Sequence, residues 1–285
     1  SFDHAYPALG NFFNRQVIGK NWVDWEPRAG KRPGGFCTSS MLNKESRIFM
    51  TFNESLGDML TLAHESGHAY HGSLMRELRP YARAYPMTLA ETASTFGENV
   101  LMNGVLADPG VSDSDKARML DIEVGHGAVY LLDIPVRYEF EKSFYQERAQ
   151  GPLSVSRLKE LMVDTQRRIL GDVLEAGGED PYFWASKLHF YITGITFYNF
   201  PYTFGYLLSR GLYAMFKQEG DSFLPRYEDL LRRAGSDTAE NVVKQTIGRD
   251  IEKSEFWSEA IRSLEQPLGQ LQALLAKTTT RNSQS

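Results

Sequence analysis

The chain has 285 residues, 42% of them hydrophobic and 24% charged, with a net charge of −5. That is the composition of an ordinary globular protein large enough to bury a sizeable core. It excludes a disordered chain, and the acidic balance without any dominant basic stripe argues against a nucleic-acid partner. A single cysteine, Cys37, leaves no internal disulfide and suits a reducing, cytoplasmic setting. The first residues show no basic-then-apolar leader, and no 18-residue apolar run is present, so no membrane span is expected.

Residues 1–20 carry Leu9, Phe12, Phe13, Val17 and Ile18 close to a helical stripe. A basic loop broken by Gly and Pro follows over residues 24–35, then two short runs, Phe36–Ser40 and Arg47–Phe52, separated by Asn43-Lys44-Glu45. These runs read as an antiparallel hairpin, whose edge could either pair with an extended peptide or only cover the core. Asn53 or Ser55 can cap the next helix, which the pattern carries to about Leu78.

That helix holds His64-Glu65-Ser66-Gly67-His68. Residues four apart lie about 400° round a helix and roughly 6 Å along it, so His64 and His68 share a face and can hold one Zn²⁺. Glu65 leaves the helix about 100° away, better placed to act as general base on the metal's water than to ligate. This is the H-E-x-x-H pattern of zinc peptidases. Gly67 suggests a close neighbour. His71 is too far along the axis to join the same tetrahedral site and reads as a packing or supporting residue.

A catalytic zinc needs a third protein ligand and an open fourth position. Met87–Leu106 reads as one helix returning past the histidines, and Glu91, with 22 residues between it and His68, can reach them. Glu98 shares the face of Glu91 and could support a ligand. Ser112–Gln150 is helical with a kink at Pro135, and Leu153–Ala176 is a helix capped at Gly177-Gly178. His4 and His126 have no sequence partners and read as structural. The run His189–Tyr206 contains Tyr191, Tyr198, Tyr202 and Tyr206. The last three recur every four residues, which by spacing alone favours an aromatic core stripe. The remainder is helical scaffold, with Asp237-Thr238-Ala239-Glu240 as a helix start, Ser254 opening the last helix, and a frayed, disordered tail over 278–285.

Together, residues 30–36, the His64–His71 block, Glu91–Glu98, the Tyr-Asn-Phe-Pro-Tyr-Thr-Phe-Gly-Tyr run, Arg233–Ser236 and Glu255–Trp257 resemble the oligoendopeptidase F and thimet oligopeptidase family of zinc metallopeptidases. The resemblance implies a mainly α fold, a multi-helix catalytic domain over 1–285 with a short β-hairpin beside the zinc helix. It implies one Zn²⁺ on His64, His68 and Glu91, with Glu65 activating water. His189 and Tyr198 would bind the oxyanion, and Tyr202, Tyr191 and Gly35 would bind substrate. The implied partners are short unstructured peptides cut at internal bonds, with oligomeric state undefined. A zinc carboxypeptidase and a non-catalytic peptide-binding fragment are the competing readings. Family members are usually much longer, with the zinc motif past the middle, so the N-terminal lobe that walls their channel is expected to be absent here.

Overall fold

In a computed structural model, which describes residues 2–31 and 34–282, the chain is mainly α-helical with one small sheet. It forms two compact units, Ser1–Val124 with Gly205–Ser285, and Gly125–Phe204.

The first unit opens with short helices α1 (Phe2–Ala5) and α2 (Pro7–Phe12), continued by a wider π-type segment, Phe13–Ile18. Strands β1 (Val23–Asp24), β2 (Gly35–Ser40) and β3 (Glu45–Met50) follow. The expected hairpin is present, but β1 joins it, parallel to β3, giving the order β1-β3-β2 and leaving β2 at an edge. Arg32 and Pro33 of the preceding loop lie outside the described residues. The sheet's inner face, Ile48 and Met50, packs with Val17, Trp22 and Ala69.

Helix α3 (Leu56–Leu74) carries the H-E-x-x-H pattern. Ser55 rather than Asn53 caps it: its Oγ accepts from the Asp58 N–H, while the Asp58 carboxylate accepts from the N–H groups of Ser55 and Asn53. Such a box satisfies amides that have no partner within the helix. After the single turn Pro80–Arg83 the chain returns as α4 (Met87–Ala90) and α5 (Thr92–Ala107). The expected continuous helix is therefore broken at Glu91, whose φ and ψ of −93° and 2° leave the helical well. Side chains hold the break in place: the Glu91 carbonyl accepts from Ser94 Oγ at 3.0 Å and from Thr95 Oγ1 at 2.6 Å.

Glycine sets the spacing of α3 and α5. A Cβ on Gly67 would stand 2.3 Å from the Ala93 carbonyl oxygen, and one on Gly97 would stand 2.9 Å from the Ala63 carbonyl oxygen. Each helix thus presents a residue without a side chain to the other's backbone. Behind this crossing Phe96 stacks on Tyr227 at 4.2 Å, and Tyr6 meets both rings edge-on.

Helix α6 (Asp113–Ala128) runs on through a π-type segment, Val129–Asp133, into α7 (Ile134–Arg148), so the helix is irregular in the turn before Pro135, which has no N–H to donate. In the second unit α7 packs against α8 (Val155–Leu170) through Val136, Phe140, Leu161 and Met162. Helix α8 ends at Gly171, with φ +51°, earlier than the Gly177-Gly178 cap expected from sequence. Single turns at Phe183–Ser186 and Leu188–Tyr191 lead to α9 (Phe200–Glu219). Helices α10 (Leu224–Arg233), α11 (Ala239–Ile247, capped by Thr238), α12 (Ser254–Arg262) and α13 (Glu265–Asn282) complete the first unit. Helix α13 follows the one expected to be last, and it is helical to Asn282 where fraying was expected; 283–285 lie outside the described residues. No helix among the described residues is long and apolar enough to cross a membrane.

The glycine crossing makes a signed prediction. Gly67→Ala should destabilise the chain by about 1–3 kcal/mol through overpacking. Gly125→Ala, within α6 and with nothing near the added Cβ, should instead stabilise it by about 0.5–1 kcal/mol. Denaturant midpoints measure both, and equal midpoints would contradict the close approach of α3 and α5.

Candidate metal centre and its aromatic companion

His64 and His68 project from one face of α3 with ring centroids 4.9 Å apart. Glu91, at the α4–α5 break, brings a single oxygen to both: Oε2 lies 3.1 Å from His64 Nε2 and 3.4 Å from His68 Nε2. Four ligands placed tetrahedrally at about 2.0–2.1 Å from one ion stand roughly 3.4 Å apart. The two distances to Glu91 Oε2 are close to that spacing, the ligand atoms of the three residues all lie within 4.8 Å of one another, and among the described residues this is the one His, Cys or acidic cluster that could hold a metal. Two imidazoles and a carboxylate suit zinc, and also manganese or cobalt.

The ligands are themselves held. His64 Nδ1 lies 2.6 Å from Glu98 Oε1; with Nδ1–H donating there, loss of the proton from Nε2 would turn its lone pair toward a metal. Ser94 Oγ donates to Glu91 Oε2 at 2.9 Å, one turn into α5. Sequence reasoning kept Glu98 open and missed Ser94, whose signal was its place three residues after Glu91 at a helix start.

Charge follows the same design. Burial by itself would keep His64 neutral, but its hydrogen bonds with Glu91 and Glu98 outweigh this and push its pKa up to about 10. Burial would likewise raise the carboxyl of Glu91, and the two imidazoles overcome it, holding Glu91 well below the usual carboxylate range. The cluster is a pocket of negative charge that binds a cation, a proton or a metal.

Glu65 stands beside it, 5% exposed, and its Oε2 has no hydrogen-bond partner in the protein. Burial lifts its pKa, with His64 and His68 opposing. A buried acceptor without a donor costs stability unless something enters to satisfy it, such as a water carried by a metal. Gly35 explains the confinement. A Cβ there would lie 2.8 Å from Thr61 Cγ2 and 3.1 Å from Glu65 Oε1, so β2 closes over Glu65 only because Gly35 has no side chain. Next to it, the thiol of Cys37 is pushed up to about 12 by burial and stays uncharged.

His71 lies outside this group, as its spacing predicted. It is fully buried, its Nε2 hydrogen-bonds the Leu231 carbonyl at 2.9 Å, and its ring stacks on Tyr85.

In the second unit His189, Tyr198 and Tyr202 come together. His189 Nε2 is 3.2 Å from the Tyr202 hydroxyl, and the rings of His189 and Tyr198 and of Tyr198 and Tyr202 lie 5.7 and 5.8 Å apart. Burial lowers the pKa of His189, keeping the imidazole neutral at pH 7. Tyr191 is half exposed, and its hydroxyl reaches the Trp184 carbonyl at 3.4 Å, away from this cluster. The expected helical tyrosine stripe is not one face. Tyr198 precedes α9, next to Phe197 with φ +58°, while Tyr202 is in the first turns of α9 and Tyr206 is buried.

Titration of the metal-free protein tests the electrostatics. His64 should stay protonated past pH 9, and Glu98→Gln should lower its pKa by removing one charged acceptor. Imidazole resonances followed by NMR report both, and a His64 that titrates near 6.5 in the parent would contradict this arrangement.

A family model described as Peptidase family M3 matches residues 5–263. Oligoendopeptidase F (plasmid) of Lactococcus lactis subsp. cremoris is 29% identical over 264 residues, 90% of this chain and 42% of that protein. Oligopeptidase PepF of Bacillus subtilis is 27% identical over 269 residues, 92% of this chain and 39% of its own. A solved candidate peptidase of Chlamydophila abortus shares the fold with a TM-score of 0.79 at 23% identity, covering 95% of this chain and 45% of that one. The chain thus spans less than half the length of the curated relatives it matches, and the family match runs through the H-E-x-x-H helix, Glu91 and the His189–Tyr206 run. The chain belongs to peptidase family M3.

Proposed function

We propose that residues 1–285 are the catalytic region of a zinc-dependent oligoendopeptidase that hydrolyses internal bonds of short, unstructured peptides. The observation that supports this most is the spacing of His64 Nε2, His68 Nε2 and Glu91 Oε2 for one tetrahedral ion, with the unpartnered Glu65 Oε2 next to them. His64, His68 and Glu91 would hold the zinc, one per chain. When bound there, zinc lowers the pKa of a water on its open side and polarises a carbonyl.

The chain's own groups supply the rest. Glu65 Oε2 accepts a proton from the attacking water, aided by the upward shift of its pKa, and returns it to the departing amine. Glu98 keeps His64 in the tautomer that leaves Nε2 free to bind, and Ser94 keeps the Glu91 carboxylate turned toward the histidines. Neutral His189 and the Tyr198 hydroxyl, carried over by family resemblance, donate to the carbonyl oxygen as negative charge grows on it. Tyr202 orients His189 from its 3.2 Å contact. Tyr191, which is turned elsewhere, is reserved for an outer substrate contact. The edge of β2, starting at Gly35, can receive an extended peptide through main-chain hydrogen bonds. The lone Cys37 supports a reducing, cytoplasmic setting.

Glu65→Gln should lower hydrolysis of an internally quenched peptide, blocked at both ends, by a factor of about 10³ or more while zinc stays stoichiometric. Chelation should remove parental activity, and added zinc should restore it. Parental turnover by Glu65→Gln would overturn the role of Glu65. Release of only C-terminal residues, with no cleavage of the blocked peptide, would make the protein a carboxypeptidase. Stoichiometric zinc without turnover would leave a non-catalytic peptide-binding fragment.

A further inference from the structure

The turn that carries Tyr198 is held by a buried acid that the hydrolytic scheme leaves without a role. Phe197 adopts φ +58°, a left-handed conformation that bulky residues rarely take without outside support. Its N–H donates to Glu141 Oε1 at 2.8 Å. The side-chain amide of Asn199 reaches the other oxygen, Oε2, at 3.4 Å. Glu141 is 4% exposed and Asn199 fully buried, so the carboxylate bridges the residues on either side of Tyr198 away from water.

The same face of α7 grips the Phe197 side chain. Tyr138 and Tyr145 lie three residues before and four after Glu141, one helical turn each way. Their rings sit 5.9 and 5.3 Å from that of Phe197. Ring contacts fix the side chain and the carboxylate fixes the backbone, so the residue between Phe197 and Asn199 has little freedom. That residue is Tyr198, whose ring lies 5.7 Å from that of His189 and 5.8 Å from that of Tyr202. A buried carboxylate is costly, and an apolar side chain would fill the space more cheaply unless two donors had to be met there.

We propose that Glu141 is a positioning residue for Tyr198: it pins the left-handed turn at Phe197 and thereby holds Tyr198 in the His189–Tyr202 cluster. The proposal rests on the reading above that the Tyr198 hydroxyl donates to the substrate carbonyl. It makes a specific statement about which replacement is tolerated. Asn199 Oδ1 has no hydrogen-bond partner. A glutamine at 141 could still accept from the Phe197 N–H through Oε1, and its amide could donate to Asn199 Oδ1 once the Asn199 amide turns over.

The test compares Glu141→Ala, Glu141→Gln, Tyr198→Phe and the double variant Glu141→Ala/Tyr198→Phe, all zinc-loaded, on the blocked peptide. Hydrogen exchange of the Phe197 amide and the His189 imidazole resonance serve as readouts independent of turnover. Glu141→Ala should lower kcat about 100-fold, approaching Tyr198→Phe, with KM and zinc content little changed. It should also free the Phe197 amide to exchange and move the His189 resonance. Glu141→Gln should restore kcat to within about threefold of the parent, and the double variant should be no slower than Tyr198→Phe. Parental kcat in Glu141→Ala, a Phe197 amide still protected there, or losses that multiply in the double variant would each overturn the proposal. A Tyr198→Phe variant with parental kcat would overturn the donor reading and the proposal with it. Exchange at Phe197 in Glu141→Ala then shows whether the clamp itself failed too.

Discussion

The close glycine crossing of α3 and α5 is the constraint on which the metal centre depends. Gly67 and Gly97 each face a carbonyl of the opposite helix at distances that any side chain would forbid. Helices normally pack with axes about 8–10 Å apart, set by the side chains between them, and glycine at the crossing lets the two backbones come closer than side chains would allow. At this separation a glutamate at the start of α5 reaches two histidines on α3 with one oxygen. A wider gap would leave Glu91 a solvent-facing side chain. The glycines lower the intrinsic stability of both helices, roughly 1 kcal/mol each relative to alanine, and the packing they allow offsets that cost.

Around this crossing the protein arranges charge so that the site favours a cation. Two carboxylates, Glu91 and Glu98, flank His64 on opposite ring nitrogens and push its pKa up to about 10, so the pocket favours positive charge. Glu65 faces the reverse situation. It is buried under β2, with no donor for one oxygen, so its affinity for a proton is raised. Carboxylates a short distance apart thus acquire opposite tendencies: Glu91 is held ionised, while burial raises the affinity of Glu65 for a proton. That division of labour is what water activation beside a metal requires.

How much of this was legible in the sequence depended on how local its cause was. The His64–Glu65–His68 pattern, the Ser55 cap and the close neighbour of Gly67 follow from helical periodicity and hydrogen-bond chemistry within a few residues. All were readable. Glu91 was readable as a partner by its spacing, but the break in the helix at that residue was not, because side chains of the following turn sustain it. The tyrosine run failed more instructively. A four-residue repeat suggested one helical face, yet Tyr198 sits before the helix in a turn that the distant Glu141 stabilises from α7. Tyr206, one repeat on, is a core residue. Spacing could not report a backbone conformation imposed from a distant helix, and it could not separate a site tyrosine from a packing one. The family resemblance is what singles out Tyr198 and Tyr202 as candidates.

His64, His68 and Glu91 are placed to hold one divalent ion together. Anomalous scattering at the zinc edge, measured on crystals of the zinc-loaded chain, tests it most directly. One peak per chain is expected, about 2.0–2.1 Å from His64 Nε2, His68 Nε2 and Glu91 Oε2, with Glu65 not in direct contact. A peak that lacks Glu91, that recruits Cys37 or Glu65 as a direct ligand, or that is absent at stoichiometric zinc would contradict it.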